Sequence, residues 1–408
     1  MPNPDELVLQ ENWSDLERIR EKPDIDLDRL HAYRTTRLKR EMRRHDAAMC
    51  IMVSPISLRY AINYRNYAAF MTHIPCTYLF YPTEGNFILY NGFEPGIPEK
   101  NKREGHPISY FYGGDCLAQF AELLAKDIDA FLTEIGISNR RVAIEYVNPS
   151  ITLALAKLDI EVIDGVLITE RARLVKSEDE VNCIRWAIAV AEHGIGKIRE
   201  SLCPGVSELQ LWGLLNYANL ANNGDWHDGR MLSSGPRTNP WFQEASERKV
   251  ESGDLVAFDT DMIGPMGYFA DISRTFFCGP GKPSMRQKSL YRMAMQEIEH
   301  NLELIKPNIS FSELQQSAFP VPEEFQAGAY PCLVHGVGMC DEYPHLKPLY
   351  RGCLPYDDIL QSGMVLCIES YMGADGEKDG VKLEQQILVT PDGYEMLTTF
   401  PYDPDLAS

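Results

Sequence analysis

The sequence predicts a two-domain protein of mixed α/β (α+β) class, and three observations lead there. Helix-like and strand-like segments alternate between residues 28 and 165, as in a compact α/β layer arrangement. A break near residues 174–176 opens a second half in which helical pairs are each followed by a hairpin. Both of those hairpins carry carboxylates at facing positions. The domains are therefore taken as 1–172 and 173–408.

In chain order, residues 1–27 are polar and proline-containing, and read as a segment that wraps a surface or a partner subunit. Over 28–44, the spacing of Leu30, Tyr33, Leu38 and Met42 amid dense charge predicts an amphipathic helix. A buried strand is expected over 47–53. A hairpin is expected over 79–81 and 87–90, around Pro82-Thr83-Glu84-Gly85. A long helix over 117–135 precedes a strand over 142–145. Tyr64, Tyr67 and Phe70 cluster in one loop, which reads either as local packing or as an aromatic lid, reaching an active site within the chain or across a dimer.

In the second half, Ser177 followed by Glu180 is a capping box that starts a helix with Ile184, Ile188, Ala191 and Ile195 on one stripe. Ser207 caps a second helix to about 222. A short strand over 231–235 runs into the loop 236–241. Later helices are expected over 284–304 and after Ser310 or Ser312. Segments 176–274 and 285–384 match in length and order, which suggests an internal duplication. Gly279-Pro280-Gly281-Lys282-Pro283-Ser284 has the wrong spacing for a phosphate loop and reads as a plain loop.

The chemistry concentrates in the two hairpins. The apolar run Leu255–Phe258 leads into Asp259 and Asp261, Gly264-Pro265-Met266-Gly267 supplies a turn, and the return run carries Asp271. Strand residues two apart share a face, so Asp259 and Asp261 should point the same way. A turn centred on Met266 sets Asp261 opposite Asp271. In the second hairpin, a turn centred between Gly376 and Glu377 sets Glu369 opposite Glu384. His335 lies between the hairpins in Val334-His335-Gly336-Val337-Gly338. Carboxylates this close repel unless a cation lies among them. Three Asp, two Glu and one His form a hard-donor set suited to two divalent ions about 3.5–4 Å apart.

Composition narrows the partners. The chain has 39 Lys+Arg against 59 Asp+Glu, a formal charge of −20. Nucleic acid and anionic membranes want a basic face, so neither is an expected partner. No basic-then-apolar leader and no 18-residue apolar run is visible, and the ten cysteines form no Cys-x-x-Cys pair. A cytoplasmic protein with reduced thiols is expected.

Lys176-Ser177, Gly267-Tyr268 before Asp271-Ile272-Ser273-Arg274-Thr275, His335-Gly336-Val337-Gly338, Glu369 and Glu384 together resemble the pita-bread metallopeptidase superfamily of aminopeptidase P, prolidase, methionine aminopeptidase and creatinase. The resemblance implies a pita-bread catalytic domain and a smaller creatinase-like N-terminal domain. It breaks at two places. Where the Xaa-Pro peptidases carry histidines that serve the amide and its oxyanion, this chain has Trp241 and Glu342. The Asp259-Thr260-Asp261 pair, the 234–244 loop and His335 through Pro344 instead resemble the DddP-type dimethylsulfoniopropionate lyases.

That resemblance implies a β-elimination on a zwitterion with a carboxylate at one end and a dimethylsulfonium at the other. Two divalent ions (iron, zinc or manganese) would be held by Asp259, Asp261, Asp271, His335, Glu369 and Glu384. Asp341 would be the general base, with Tyr330 the next candidate. Trp241, Tyr330 and Trp226 are the aromatic candidates for the sulfonium, through cation–π attraction. A homodimer is implied. The rival readings are an Xaa-Pro dipeptidase or other C–N hydrolase, and a non-catalytic binding protein of the same fold.

Overall fold

Asp26 starts the first helix: its carboxylate accepts the amides of Asp28 and Arg29 at 3.1 and 3.0 Å. The helix Leu27–Arg44 then buries Leu30, Leu38 and Met42 on the stripe their spacing predicts. The computed structural model describes residues 23–65, 68–107 and 109–408. Over these the chain divides into two units, one of Asp26–Arg173 and the other of residues 23–25 together with Leu174–Ser408.

In the first unit six strands form one sheet in the order β4-β3-β2-β1-β5-β6. They are β1 (Met49–Met52), β2 (Tyr78–Pro82), β3 (Ile88–Tyr90), β4 (Lys102–Arg103), β5 (Arg141–Ile144) and β6 (Glu161–Asp164). The 47–53 run is the strand β1, and β2 and β3 form the expected hairpin. β1, β5 and β6 run parallel. The apolar residues of β1 and β5 are buried, as parallel strands covered by helices require, while those of the edge strand β6 are half-buried. The long helix Leu117–Glu134 is where its pattern puts it. Glu145, just past β5, is buried with a structural role: it accepts the amides of Val53 and Ser54 and the hydroxyls of Ser57 and Thr169. Tyr64 is buried within this unit. Tyr67, the Phe70 side chain and the segment 1–22 lie outside the described residues, so the lid and the wrapping segment find no test there.

The second unit opens with Glu178–Ser201 and Glu208–Ala221, each started by a reciprocal capping box, Ser177 with Glu180 and Ser207 with Gln210. Strands β7 (Trp226–His227), β8 (Leu232–Ser234), β9 (Leu255–Phe258), β10 (Met262–Ile263), β11 (Phe269–Ala270) and β12 (Arg274–Phe277) follow. They make two small sheets, β11-β10-β7 and β12-β9-β8. Ser284 caps the next helix, Met285–Glu303, which settles the preceding 279–283 stretch as a loop. Then come β13 (Val334–Val337), β14 (Asp341–Leu346), β15 (Val365–Met372), β16 (Val381–Thr390) and β17 (Gly393–Met396), in the order β14-β13-β15-β16-β17. The succession β8-β9-β12 in one half and β13-β15-β16 in the other repeats the order seen in the sequence segments. Leu290, Tyr291, Ala294 and Ile298 of the Met285–Glu303 helix share one core with Leu366, Ile368, Leu383 and Ile387. Each buried Leu or Ile among them contributes roughly 1.5–3 kcal/mol.

The hairpin registers are those the turn positions imply. β15 and β16 pair Glu369 with Glu384 directly. The first hairpin keeps one register through two ladders, Phe258 with Arg274 and Met262 with Ala270, which leaves Asp261 facing Asp271. One expectation needs correction. Asp259 and Asp261 do not share the face of a continuous strand, because Thr260 and both aspartates fall in the break between the ladders. Asp261 has φ 38°, a left-handed conformation that Asp tolerates better than most residues. Thr260, fully buried in the break, ties it together: its hydroxyl donates to Ala270 O and accepts from the Ile272 amide.

Candidate metal centre

Asp271 is carried to Glu384 by the meeting of β12 and β16, which lie side by side without a ladder. Arg274, fully buried, donates to the carbonyl of Glu384 at 2.7 Å, and Thr275 and Lys382 exchange hydroxyl and backbone bonds. His335 reaches the same point from β13, where it pairs with Cys367 of β15. Its Nε2 lies 3.1 Å from Glu369, 3.6 Å from Asp271 and 3.7 Å from Glu384. Candidate ligand atoms fall into three overlapping groups, each within 4.8 Å: Asp271, His335, Cys367 and Glu384; Asp259, Glu369 and Glu384; Asp259, Asp261 and Asp271. All six residues singled out from the sequence are thus brought together.

Lys382 is the residue that sequence reasoning missed. It is fully buried, and its ammonium lies 2.5 Å from Glu369 Oε2, 3.0 Å from Asp259 Oδ2, 3.5 Å from Glu384 Oε2 and 2.7 Å from Ser273 Oγ. A signal was present: in a strand Lys382 shares a face with Glu384, two residues on. Lys382 holds one oxygen of each of these three carboxylates. The other oxygens of Asp259 and Glu384, with Oδ1 of Asp271, are buried without a hydrogen-bond partner. Buried carboxylate oxygens do not persist unpartnered without cost, and hard divalent cations take oxygen donors of this kind. The residues fit a metal.

Electrostatics agree. Burial first, and then the neighbouring Glu384, push the Glu369 carboxyl up to about 7. Burial and adjacent carboxylates likewise raise Asp261 and Asp271 well above the ordinary range. Burial alone would raise Glu384 too, yet Lys382 and His335 hold it low. Against its own burial, His335 is held well above its usual value by Asp341, Glu369 and Glu384. The folded, metal-free centre therefore binds protons that the unfolded chain releases above a carboxylate's ordinary 4.5. That stability is present at low pH and is lost as pH rises through the folded values. Between about pH 5.5 and about pH 8, the Tm of metal-free protein should fall, and its gap to metal-loaded protein should widen. A pH-independent gap in calorimetry would contradict this.

Around the centre, Asp341 opens β14 with its side chain 62% exposed and Oδ1 3.4 Å from His335 Nδ1. Tyr330 is partly buried, with the Lys382 ammonium 4.5 Å from its ring centroid. Burial, then Glu369, push its hydroxyl far above the usual phenol range and keep it neutral. Trp241 is buried against Tyr371, with Tyr330 packed on the same small cluster. Phe242, which sequence reasoning did not name, stacks on Tyr330 at 5.3 Å. Asp228, also unnamed, donates its amide to Asp261 O, and burial followed by Asp341 raises its carboxyl to about 6. Trp226 is 60% exposed on β7, outside the Trp241–Tyr330 cluster. Glu342 does not face the centre: its carboxylate is fully buried on Lys176, 3.0 Å away.

Residues 182–391 match the model of metallopeptidase family M24, a span that holds all six candidate ligands. The dimethylsulfoniopropionate lyase DddP of Roseovarius nubinhibens is 34% identical over 396 residues, 93% of this chain and 88% of that one. The DddP of Roseobacter denitrificans is likewise 34% identical, over the same shares. The Xaa-Pro dipeptidase of Pyrococcus horikoshii is 30% identical over 55% of this chain and 63% of its own. Among solved structures, an Xaa-Pro dipeptidase from Bacillus anthracis superposes with a TM-score of 0.69 at 21% identity, over 91% of this chain and 98% of that one. The prolidase from Pyrococcus horikoshii does so with 0.68 at 22%, over 90% and 99%. The fold is accordingly the pita-bread fold of the prolidases. On the family match and the relatives spanning nine-tenths of its length, the chain belongs to metallopeptidase family M24.

Proposed function

We propose that this chain is a metal-dependent C–S lyase that cleaves dimethylsulfoniopropionate to dimethyl sulfide and acrylate. The observation that carries the reading is the pair of neighbours Asp341 and Glu342. Xaa-Pro peptidases have a histidine at the second of these positions; here its occupant is turned into a buried ion pair with Lys176. Amide hydrolysis thereby lacks that histidine as a donor for its oxyanion. Elimination needs only a base beside the gripped carboxylate, and Asp341 lies there, open to solvent, next to His335. Relatives named for this lyase activity align over 93% of the chain.

Asp259, Asp261, Asp271, His335, Glu369 and Glu384 would hold two divalent ions, iron, zinc or manganese. Charge supports the number: five carboxylates less the Lys382 ammonium leave four negative charges, those of two divalent ions. Bound there, the metals would grip the substrate carboxylate and stabilise the charge that grows on it. Asp341 takes the proton from the carbon next to the carboxylate. The electrons of that C–H bond form the C=C bond, the C–S bond breaks, and its electron pair leaves with dimethyl sulfide. Tyr330, as a neutral phenol, is the weaker base candidate. With Trp241 and Phe242 it forms the aromatic surface suited to a sulfonium. The reading extends to a cytoplasmic homodimer with domains 1–172 and 173–408; among the described residues no helix is long and apolar enough to cross a membrane.

The test is headspace detection of dimethyl sulfide from purified, metal-loaded protein with this substrate. Xaa-Pro dipeptides should be turned over weakly or not at all. Dipeptide cleavage at kcat/KM of roughly 10⁴ M⁻¹s⁻¹ or above, with no dimethyl sulfide, would reverse the assignment.

A further inference from the structure

We infer that the buried Lys176–Glu342 ion pair is a strut that positions Asp341, so that both of its members are positioning residues for the elimination. The inference rests on the reading of Asp341 as the base. Asp341 presents a problem of precision: its side chain is mostly exposed, and it starts β14 directly after the tight turn 338–340. Exposed turn residues are held by their backbone, and something must hold that backbone.

Glu342, the next residue, does so on two sides. Its Oε1 accepts the amide of Met339 at 3.0 Å, closing the turn on itself. Its Oε2 lies 3.0 Å from Lys176 Nζ, with the two side chains 0% and 2% exposed. Lys176 is in turn fixed by its own backbone, whose amide donates to Gly363 O at 2.8 Å, and it immediately precedes the capped start of the Glu178–Ser201 helix. The turn is also gripped from the first hairpin, where the Phe269 amide donates to Gly338 O at 2.8 Å.

The surroundings leave no room for slack. A Cβ at Gly338 would stand 2.3 Å from the Glu342 carboxylate, and one at Gly336 would stand 2.3 Å from Tyr343 O. In a strand successive side chains alternate. With Glu342 pinned into the interior, Asp341 is therefore committed to the opposite side, toward His335. The residue that stands in place of a peptidase histidine thus aims the base while making no contact with substrate.

Removing one partner would strand a buried charge and endanger folding. The test therefore uses Lys176→Met/Glu342→Leu, which buries no charge, beside Asp341→Asn in the full-length, metal-loaded protein. Misplacing a catalytic group by about 1 Å can cost on the order of 10²-fold. The double variant should keep its metal content and hold KM within about threefold, while kcat falls about 10–100-fold with a larger primary isotope effect at the deprotonated carbon. Amide hydrogen exchange over 336–343 should rise locally, with the rest of the second unit unchanged; a merely structural pair would move global stability instead. Unchanged exchange in that segment, or an active double variant beside an inactive Asp341→Asn protein, overturns the strut alone. An Asp341→Asn protein at wild-type rate removes the base reading, and the positioning inference with it.

Discussion

Asp341→Asn is expected to lower the elimination rate by about 10²–10⁴-fold while fold, metal content and substrate affinity stay at wild-type values. Asn is nearly isosteric and cannot accept the proton. The side chain is 62% exposed, so the change leaves no core contact to lose. A competing role is visible in the geometry. His335 offers Nε2 to the carboxylate cluster and points Nδ1 at Asp341, 3.4 Å away. A carboxylate in that place can orient a metal-binding imidazole, and losing such a partner typically costs 10–100-fold in metal affinity. The two roles separate by measurement. A base variant is fully metallated and slow, with a primary isotope effect at the deprotonated carbon. An orienting variant loses metal and recovers activity when excess metal is supplied. Near wild-type release of dimethyl sulfide would rule out the base role.

Lys382→Met should destabilise the metal-free protein by about 3–5 kcal/mol, because Asp259, Glu369 and Glu384 lose their shared cation in a fully buried place. Ser273 would lose its ammonium partner, and Tyr330 its cation. The side chain keeps nearly the same length and volume, so packing is not what changes. The expected fall in Tm is on the order of 10 °C in metal-free protein, and smaller after metal loading, since bound divalent ions share the same carboxylates. Calorimetry of both forms and metal analysis check this together. An unchanged metal-free Tm would mean that the carboxylates carry protons in place of the ammonium's charge, and that Lys382 contributes little.

Much of the site was legible in the chain itself. Strand pairing has a period of two, so locating each turn settles which carboxylates face each other. Met266 as centre places Asp261 against Asp271, and the Gly376–Glu377 midpoint places Glu369 against Glu384. The capping boxes at Ser177 and Ser207 were equally readable, because they are contacts three residues apart. The same two-residue rule pointed to Lys382 from Glu384, but one lysine in a strand of mixed polarity gives no sign that its charge is wanted. The break at Asp259–Asp261 could not be read, since it depends on Thr260 bonding to Ala270 and Ile272 across the hairpin. Only the tertiary structure joins Lys176 to Glu342, 166 residues apart, stacks Phe242 on Tyr330, and leaves Trp226 outside their cluster. The physical reason is range. Local geometry sets which face a residue takes within its own ladder, whereas the partner across the core depends on how β12, β13 and β16 pack, and no spacing within one strand encodes that.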